Sequence, residues 1–562
     1  MFSAGAVQRT KKHAISWPVS LIASAVLCLL WLMPSGCSVP AHDGAADTFH
    51  LNFSLPAGSK TDGAILFLLD GVQAQTFDQM LQAGELPAIK KYFVDRGLYS
   101  PRTVTCNPSI SMSCFVGILT GQYSSHAGMT APKCFDRNQL MCFDVETHFD
   151  KNKVDALYTA PTIYEQFPDR LTFSLFCQVH RGATKFFENV LTAGPAIAFG
   201  MHNLIDRLSI YRFNQVNEFA RMYHQVPAFT TVYMLAVDFA AYDHGFSSPK
   251  YRQAIRDVDR HIGRVMGDIQ RAGLLDKLVV ALVSDHGHVD TPRHPHLESY
   301  VRDTLGVHIL TGEPDDGAHF EQRLAKYNRY VGVTCSGGNR YWPVYLRKPI
   351  RREGKLVGMD NWLGTPTPED LRQYPTDKGA DIDLPAELVA QPYVEAVAYR
   401  AGPEAVRMLF KGGEVEFRRT GGRSGPISCH VLSGDDPLKY REHVPAEMLS
   451  GKPFEQRQWL DATVGTIYPD LPVGVMAYFD GRLAPDLVAY PPPGWDLDGW
   501  WKSGHGGIRD VEMLVPMAIA GPNVPKGTVT AARTVDLMPT LLQALGKPIP
   551  SGLDGISLIA QP

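Results

Sequence analysis

Three aspartates each close an apolar run in this 562-residue chain, and histidines lie close behind two of them. Asp70 ends GAILFLLDG, Asp238 ends the run within TTVYMLAVDFAAYDHG, and Asp285 ends LVVALVSDHGH. A short apolar run that stops at a carboxylate reads as a buried strand delivering an acid to the sheet edge. Ligand sites in open α/β sheets lie outside the carboxyl ends of the strands. Three such deliveries, with His286 directly after Asp285 and a late His505 in SGHGG, supply the carboxylates and imidazoles that hold a divalent cation. An enzyme built on a metal centre is the leading reading.

A hydroxyl group joins this set. The segment TVTCNPSISMSCFVGILTGQYSSHAG places serines and small residues just before an apolar stretch that reads as a helix start. A hydroxyl there can face an anion, because the free N–H groups of a helix N-terminus favour phosphate. Taken alone, such a serine is an ordinary helix cap. Beside the aspartates and histidines it becomes a candidate nucleophile.

The elements that must position these groups follow from periodicity. From Gly63 to about His286, apolar runs alternate with helical spacing, the pattern of a sheet with crossover helices. Ile255, Val258, Ile262, Val265 and Ile269 recur at three and four, with Arg256, Asp257, Asp259, Arg260 and Arg264 on the other faces. Gly273 closes that helix and the strand Leu278 to Ser284 follows, which predicts a parallel pair with a right-handed crossover. Between about 290 and 500, Pro, Gly, Trp and charge rise. Strands are expected at Arg340 to Arg347 and Val394 to Arg400, with a hairpin around Gly412-Gly413. PPPG at 491–494 marks a boundary, after which come SGHGG, an apolar run from Met513 to Ala520, and a last helix near Thr534 to Leu545. The expected division is an export signal over 1–37, a linker over 38–60, the first part of an α/β core over 61–300, mixed core strands and a cap insertion over 301–490, and the rest of the core over 491–562.

Apolar content of 44% and charged content of 20% are ordinary for a globular protein, and a net charge of −4 gives no reason to expect a nucleic-acid polymer as partner. Arg9, Lys11 and Lys12 precede an uncharged run over 14–33, and PSGCS with Cys37 follows. This is the order of a bacterial export signal, and a glycine directly before a cysteine suggests a lipid on Cys37, although Pro34 departs from the usual pattern. The alternative is an uncleaved inner-membrane anchor, since the run of about 19 residues approaches the ~20 a bilayer span takes. Either way the expected place is the cell envelope, as a periplasmic protein or an outer-membrane lipoprotein. Seven cysteines lie beyond the signal, an odd number, and Cys134 and Cys142 flank a short loop and could pair.

The order LLDG, PSIS…LTG, a strand ending in Asp, SDHG, GHGG and RTVDLMPTLLQALGKPIPSGLDG resembles the alkaline phosphatase superfamily, most closely its type I phosphodiesterase/nucleotide pyrophosphatase branch. The resemblance runs from about residue 62 to the C-terminus and is weakest over 290–490. It implies a three-layer α/β/α sandwich with a mostly parallel central sheet. It also implies a Thr or Ser nucleophile ten residues before the Gly of the TG pair, which from Gly121 is Ser111. Two divalent ions are implied, Zn²⁺ first, with Mn²⁺ or others able to take the same donors. One would be held by Asp70, Ser111, Asp285 and His286, the other by Asp238, a following histidine and His505. The implied activity is hydrolysis of small-molecule phosphodiesters through a phosphoserine intermediate. Phosphomonoester or phosphonate hydrolysis on the same fold is the alternative, as is a non-catalytic envelope binding protein with a degenerate metal site. Sulfatase chemistry is disfavoured, because the residues after Ser111 lack the required Pro and Arg.

Two departures stand out. The branch usually carries His four residues after the second-site Asp, but position 242 is Tyr, so His244 on a shifted loop is the expected ligand. The competing reading is that Tyr242 weakens that site. Diesterase relatives carry Asn where this chain has Cys114, and a thiol is a poor substitute donor. His288, His294 and His296 read as solvated loop residues, and Trp495, Trp500 and Trp501 as packing beneath the loop before His505.

Overall fold

The computed structural model describes residues 51, 53–145, 151–188, 196, 200–312, 317–335, 340–497 and 499–560. The expected export signal and most of the expected linker lie outside the described residues. No helix among the described residues is long and apolar enough to cross a membrane.

The central sheet is built from β1 (Gly63–Leu69), β2 (Gly97–Val104), β3 (Thr172–Leu175), β4 (Lys185–Phe187), β5 (Phe229–Met234), β6 (Leu278–Ser284) and β7 (Leu514–Ala520), with two short strands beside β2. Its order is β2-β7-β6-β1-β5-β3-β4, continued beyond β2 by Gly527–Thr528. β6, β1, β5, β3 and β4 pair in parallel, and only β7 runs antiparallel to its neighbours β2 and β6. β1 is buried along its whole length, as a strand covered on both faces must be. Leu66, Phe67 and Leu68 are fully buried, each contributing about 1.5–3 kcal/mol. Ala64, Leu66 and Leu68 pack with Phe115 and Leu119 on one face, while Phe67 meets Phe93 on the other. The expected α/β sandwich with a mostly parallel sheet is therefore what forms.

The long helix α3 (Pro249–Arg271) takes the predicted three-and-four stripe inward, starts at a Ser248 cap that accepts from the Tyr251 N–H, and is followed by Gly273 at φ 69°. It joins two parallel strands as expected, but β5 and β6 are not neighbours: β1 lies between them. β1, buried at every residue, takes the centre, where both its faces and both its edges are covered.

A second nine-stranded sheet runs Ile309–Thr311, Gly332–Thr334, Trp342–Leu346, Leu487–Tyr490, Ala396–Gly402, Ala405–Phe410, Gly413–Arg419, Ile427–Gly434 and Ser450–Phe454. The two strands anticipated at 340–347 and 394–400 fall in it, and Gly413, at φ 141°, ends the anticipated hairpin turn. Its core residues Ala398, Val415 and Val488 share a cluster with Cys106, Ile110 and Cys114, so this sheet packs against the segment that carries Ser111. Cys134 and Cys142 do not face one another. In their hairpin Cys134 opposes Phe143 and Cys142 opposes Phe135, which turns the two thiols to opposite sides. Cys142 Sγ instead lies 3.1 Å from Cys335 Sγ.

The GLDG segment near the C-terminus closes the helix that begins at Ser111. Asp554 and Gly555 donate backbone N–H to the Gly121 carbonyl, and the Asp554 carboxylate accepts from the Tyr123 N–H and His126. His126 is held between Asp554 and Asp480, at 2.8 Å from each. Burial pulls its pKa down, but the two carboxylates outweigh burial and raise it above 6.5. A raised folded pKa gives stability that is full below the unfolded value and lost as pH climbs through the folded one. His126→Gln is expected to cost roughly 1–3 kcal/mol at about pH 6, and the deficit should shrink toward about pH 9. Urea unfolding of both proteins at the two pH values tests this; a deficit that grows with pH would contradict it.

Candidate metal centre

Three parallel strands end on one side of the central sheet, and each hands over an acid there. Asp70 follows β1 and Asp285 follows β6. Asp238 lies in the first turn of α2 (Ala236–His244), which starts just after β5. Ser111 opens α1 (Ser111–Thr120), the helix that follows β2. The geometry thus joins residues from four separate stretches at the carboxyl edge of the sheet.

The first group centres on His286, whose Nε2 lies 3.0 Å from Ser111 Oγ and 3.4 Å from both Asp70 Oδ1 and Asp285 Oδ2. These two carboxylate oxygens are buried and have no hydrogen-bond partner among the described residues. The other oxygens are used: Asp70 Oδ2 accepts from the Tyr233 hydroxyl, and Asp285 Oδ1 accepts from the Gly71 and His286 N–H groups at 3.0 and 2.8 Å. The His286 Nδ1–H donates to the Gly287 carbonyl at 3.2 Å, so Nε2 presents its lone pair to the acids.

Electrostatics agrees with that donor set. Burial, and then the charges of Asp285 and Asp238, raise the Asp70 pKa well above the usual carboxylate range. Burial, followed by Asp238, pushes Asp285 up to about 7. Burial and the neighbouring imidazoles hold His286 well below its usual value. Paired acids that resist ionising together, facing a neutral imidazole, are what a dication stabilises. The residues present fit such an ion.

The second group contains Asp238, His288 and His505. His288 Nε2 lies 2.6 Å and His505 Nε2 3.9 Å from Asp238 Oδ1. His505 donates Nδ1–H to the Ser109 carbonyl at 2.8 Å, and burial lowers its pKa to about 4. The rings of His505 and His286 stack at 3.6 Å, so the two groups adjoin. The loops are laced together: Ser109 Oγ accepts from the Gly506 N–H and donates to the Gly507 carbonyl.

Of the anticipated residues, Asp70, Ser111, Asp238, Asp285, His286 and His505 converge. His244 does not: it is exposed at the end of α2 and belongs to neither group. The expected loop shift does not occur, because α2 stays regular through His244. Six residues on from Asp238, at 100° per residue, His244 points about 120° away from it. Position 242, four residues on, shares the Asp238 face, and the Tyr242 hydroxyl donates to His505 Nε2 at 2.5 Å.

His288, read from the sequence as a solvated loop residue, is fully buried here. A signal was available: residues two apart on extended chain face the same side, and His288 stands two beyond His286. Cys114 is buried with its sulfur near Thr105 Oγ1, and burial raises its thiol pKa. Of the tryptophans, Trp500 departs from expectation at 76% exposed, whereas Trp495 packs against Tyr393 and Trp501 against Tyr242.

Residues 64–336 match the sequence model described as type I phosphodiesterase / nucleotide pyrophosphatase. Ectonucleotide pyrophosphatase/phosphodiesterase family member 1 of Mus musculus is 25% identical over 307 residues, covering 52% of this chain and 32% of that protein. The Homo sapiens protein of the same name is 22% identical over 318 residues, covering 52% and 31%. The chain therefore spans about a third of the length of these curated relatives. His505 lies beyond the matched segment and is brought to it by the fold. The resemblance to the type I phosphodiesterase/nucleotide pyrophosphatase family, within the alkaline phosphatase superfamily, holds over residues 64–336, the stretch that carries Asp70, Ser111, Asp238, Asp285 and His286.

Proposed function

We propose that this chain is a metal-dependent phosphoric ester hydrolase of the phosphodiesterase/nucleotide pyrophosphatase type, exported to the cell envelope and acting through a phosphoserine intermediate on Ser111. One observation carries the reading. Ser111 Oγ, at the start of α1, lies 3.0 Å from a His286 Nε2 that also faces the unpartnered oxygens of Asp70 and Asp285. Asp70, Ser111, Asp285 and His286 would hold one divalent ion, and Asp238 and His505 belong to the set for a second. Bound Zn²⁺ or Mn²⁺ supplies the positive charge that favours an ionised serine oxygen and offsets charge on the transferring and departing oxygens.

Ser111 Oγ forms the bond to phosphorus as the bond to the departing ester oxygen breaks. Water then cleaves the Oγ–P bond, and the serine hydroxyl is restored. The positive end of α1 faces the transferring group. Cys114 turns its sulfur inward, which leaves the phosphoryl oxygens to backbone N–H groups. Arg9, Lys11 and Lys12, the uncharged run over 14–33 and Cys37 support export.

Small-molecule phosphate esters are the proposed substrates, diesters first. The change to Cys114 keeps monoesters as the second reading. Exhaustive chelation is expected to lower hydrolysis of bis(4-nitrophenyl) phosphate by ~10³-fold or more, and added Zn²⁺ or Mn²⁺ to restore it. Turnover that persists in protein free of measurable metal would sink the proposal. The same assay on 4-nitrophenyl phosphate ranks diester against monoester, and no turnover on either points to a binding protein.

A further inference from the structure

We propose that His288 supplies the second-site imidazole in this chain, in place of the helical position that Tyr242 fills. The inference rests on the two-ion reading above and assigns a residue to it.

The argument starts from proton positions. The Ser503 hydroxyl donates to the Val289 carbonyl at 3.0 Å, which uses its one hydrogen. Toward His288 Nδ1, 3.0 Å away, Ser503 Oγ must therefore accept. Nδ1 therefore carries a proton, and Nε2 is the nitrogen left to face Asp238 Oδ1, at 2.6 Å. Two ligand-type atoms this close share a proton when no ion is bound, and a dication would displace that proton and take both atoms as ligands. A ligating histidine whose far nitrogen is held by a neighbouring acceptor is the usual arrangement around a bound metal.

His286 and His505 are oriented in the same sense, each donating Nδ1–H to a carbonyl; His286 Nε2 faces Asp70 and Asp285, and His505 Nε2, which accepts from Tyr242, lies 3.9 Å from Asp238 Oδ1. Asp238, His286, His288 and His505 can bring one ligand atom each to within 4.8 Å of one another. All four are buried.

The fold makes room for His288 and holds it there. Val289–Asp290 pairs antiparallel with Ser503–Gly504, so the strand after His288 is tied to the strand before His505. A Cβ on Gly71 would lie 2.8 Å from His288 Cδ2, so this ring needs glycine after Asp70. Tyr242 packs edge-on to the His288 ring at 5.2 Å. On α2, position 242 faces the same group as Asp238, and an imidazole there would reach the space that His288 serves from the loop.

The test is metal content of the full chain, equilibrated with Zn²⁺, desalted and measured by elemental analysis. Wild type is expected to hold about two ions per chain, and His288→Ala about one. His288→Ala with Tyr242→His is expected to return to about two, and His244→Ala to stay at about two. His288→Asn, which keeps a donor for Ser503, serves should the alanine variant fail to fold; it is also expected to hold about one ion.

Wild type with no bound zinc would overturn the metal reading itself. Two ions in wild type and two in folded His288→Ala or His288→Asn would overturn the role of His288 alone. Loss on His288→Ala without recovery on adding Tyr242→His would overturn the claim that one position stands in for the other.

Discussion

Ser111→Ala is expected to abolish turnover, a fall on the order of 10³–10⁶-fold in kcat, while fold and most bound metal survive. The reasons are local. Ser111 is the first residue of α1, yet the helix does not depend on its side chain: the cap position is Ile110, and no side-chain cap bond is made. Alanine is the best helix former, so the exchange costs the helix nothing. Asp70, Asp285 and His286 keep their own hydrogen bonds to Tyr233, Gly71 and Gly287 when the hydroxyl is gone. What is lost is the atom that takes the phosphoryl group. Ser111→Thr keeps such an oxygen and is expected to retain part of the activity. Acid quench with a labelled diester should leave label on the peptide containing Ser111 in wild type and none in Ser111→Ala. Undiminished turnover in that variant would remove Ser111 from the mechanism.

The acids of the site were legible because their signal is local. An apolar run ending in Asp needs no knowledge of the fold to read as a strand end, and Asp70 and Asp285 lie there, whereas Asp238 reaches the same edge from the first turn of the helix after its strand. Ser111 and His505 depended on spacing within motifs, and both converge on the same edge. His288 was missed because its burial is decided by a partner more than two hundred residues away in sequence, the Ser503–Gly504 strand. The same holds for β1 between β5 and β6, since strand order is set by which surfaces find cover, not by chain order. The second sheet was only partly legible. Its strands from 396 to 454 pair in chain order, but Leu487–Tyr490 inserts between Trp342–Leu346 and Ala396–Gly402, a non-local pairing that periodicity does not encode. His244 misled because a histidine six residues from Asp238 looks near in sequence, while helix geometry turns it away.

Arg340→Met is expected to lower stability by about 3–5 kcal/mol, because it strands a buried carboxylate. Arg340 and Glu512 are both fully buried and pair through two bonds, Nε to Oε1 at 2.8 Å and a second guanidinium nitrogen to Oε2 at 3.1 Å. The remaining guanidinium donors reach the carbonyls of Pro491, Pro492 and Trp495, which pins the PPPG loop. Glu512 ties down both histidine loops: Oε1 accepts from the Gly507 N–H, and its carbonyl accepts from the Gly287 N–H. The Arg340 N–H in turn donates to the His505 carbonyl. Removing the arginine therefore leaves a charge without a partner and frees the segments that hold His286 and His505. Glu512→Leu leaves the opposite charge stranded and should cost a similar amount. The double variant Arg340→Met/Glu512→Leu removes both charges and should recover part of the loss, so the two single costs will not add. Urea unfolding of the four proteins gives the coupling. Single variants that each cost less than about 1 kcal/mol would mean that this pair does not hold the loops, and the rigidity of the metal-facing histidines would then have to come from the serine and carbonyl contacts alone.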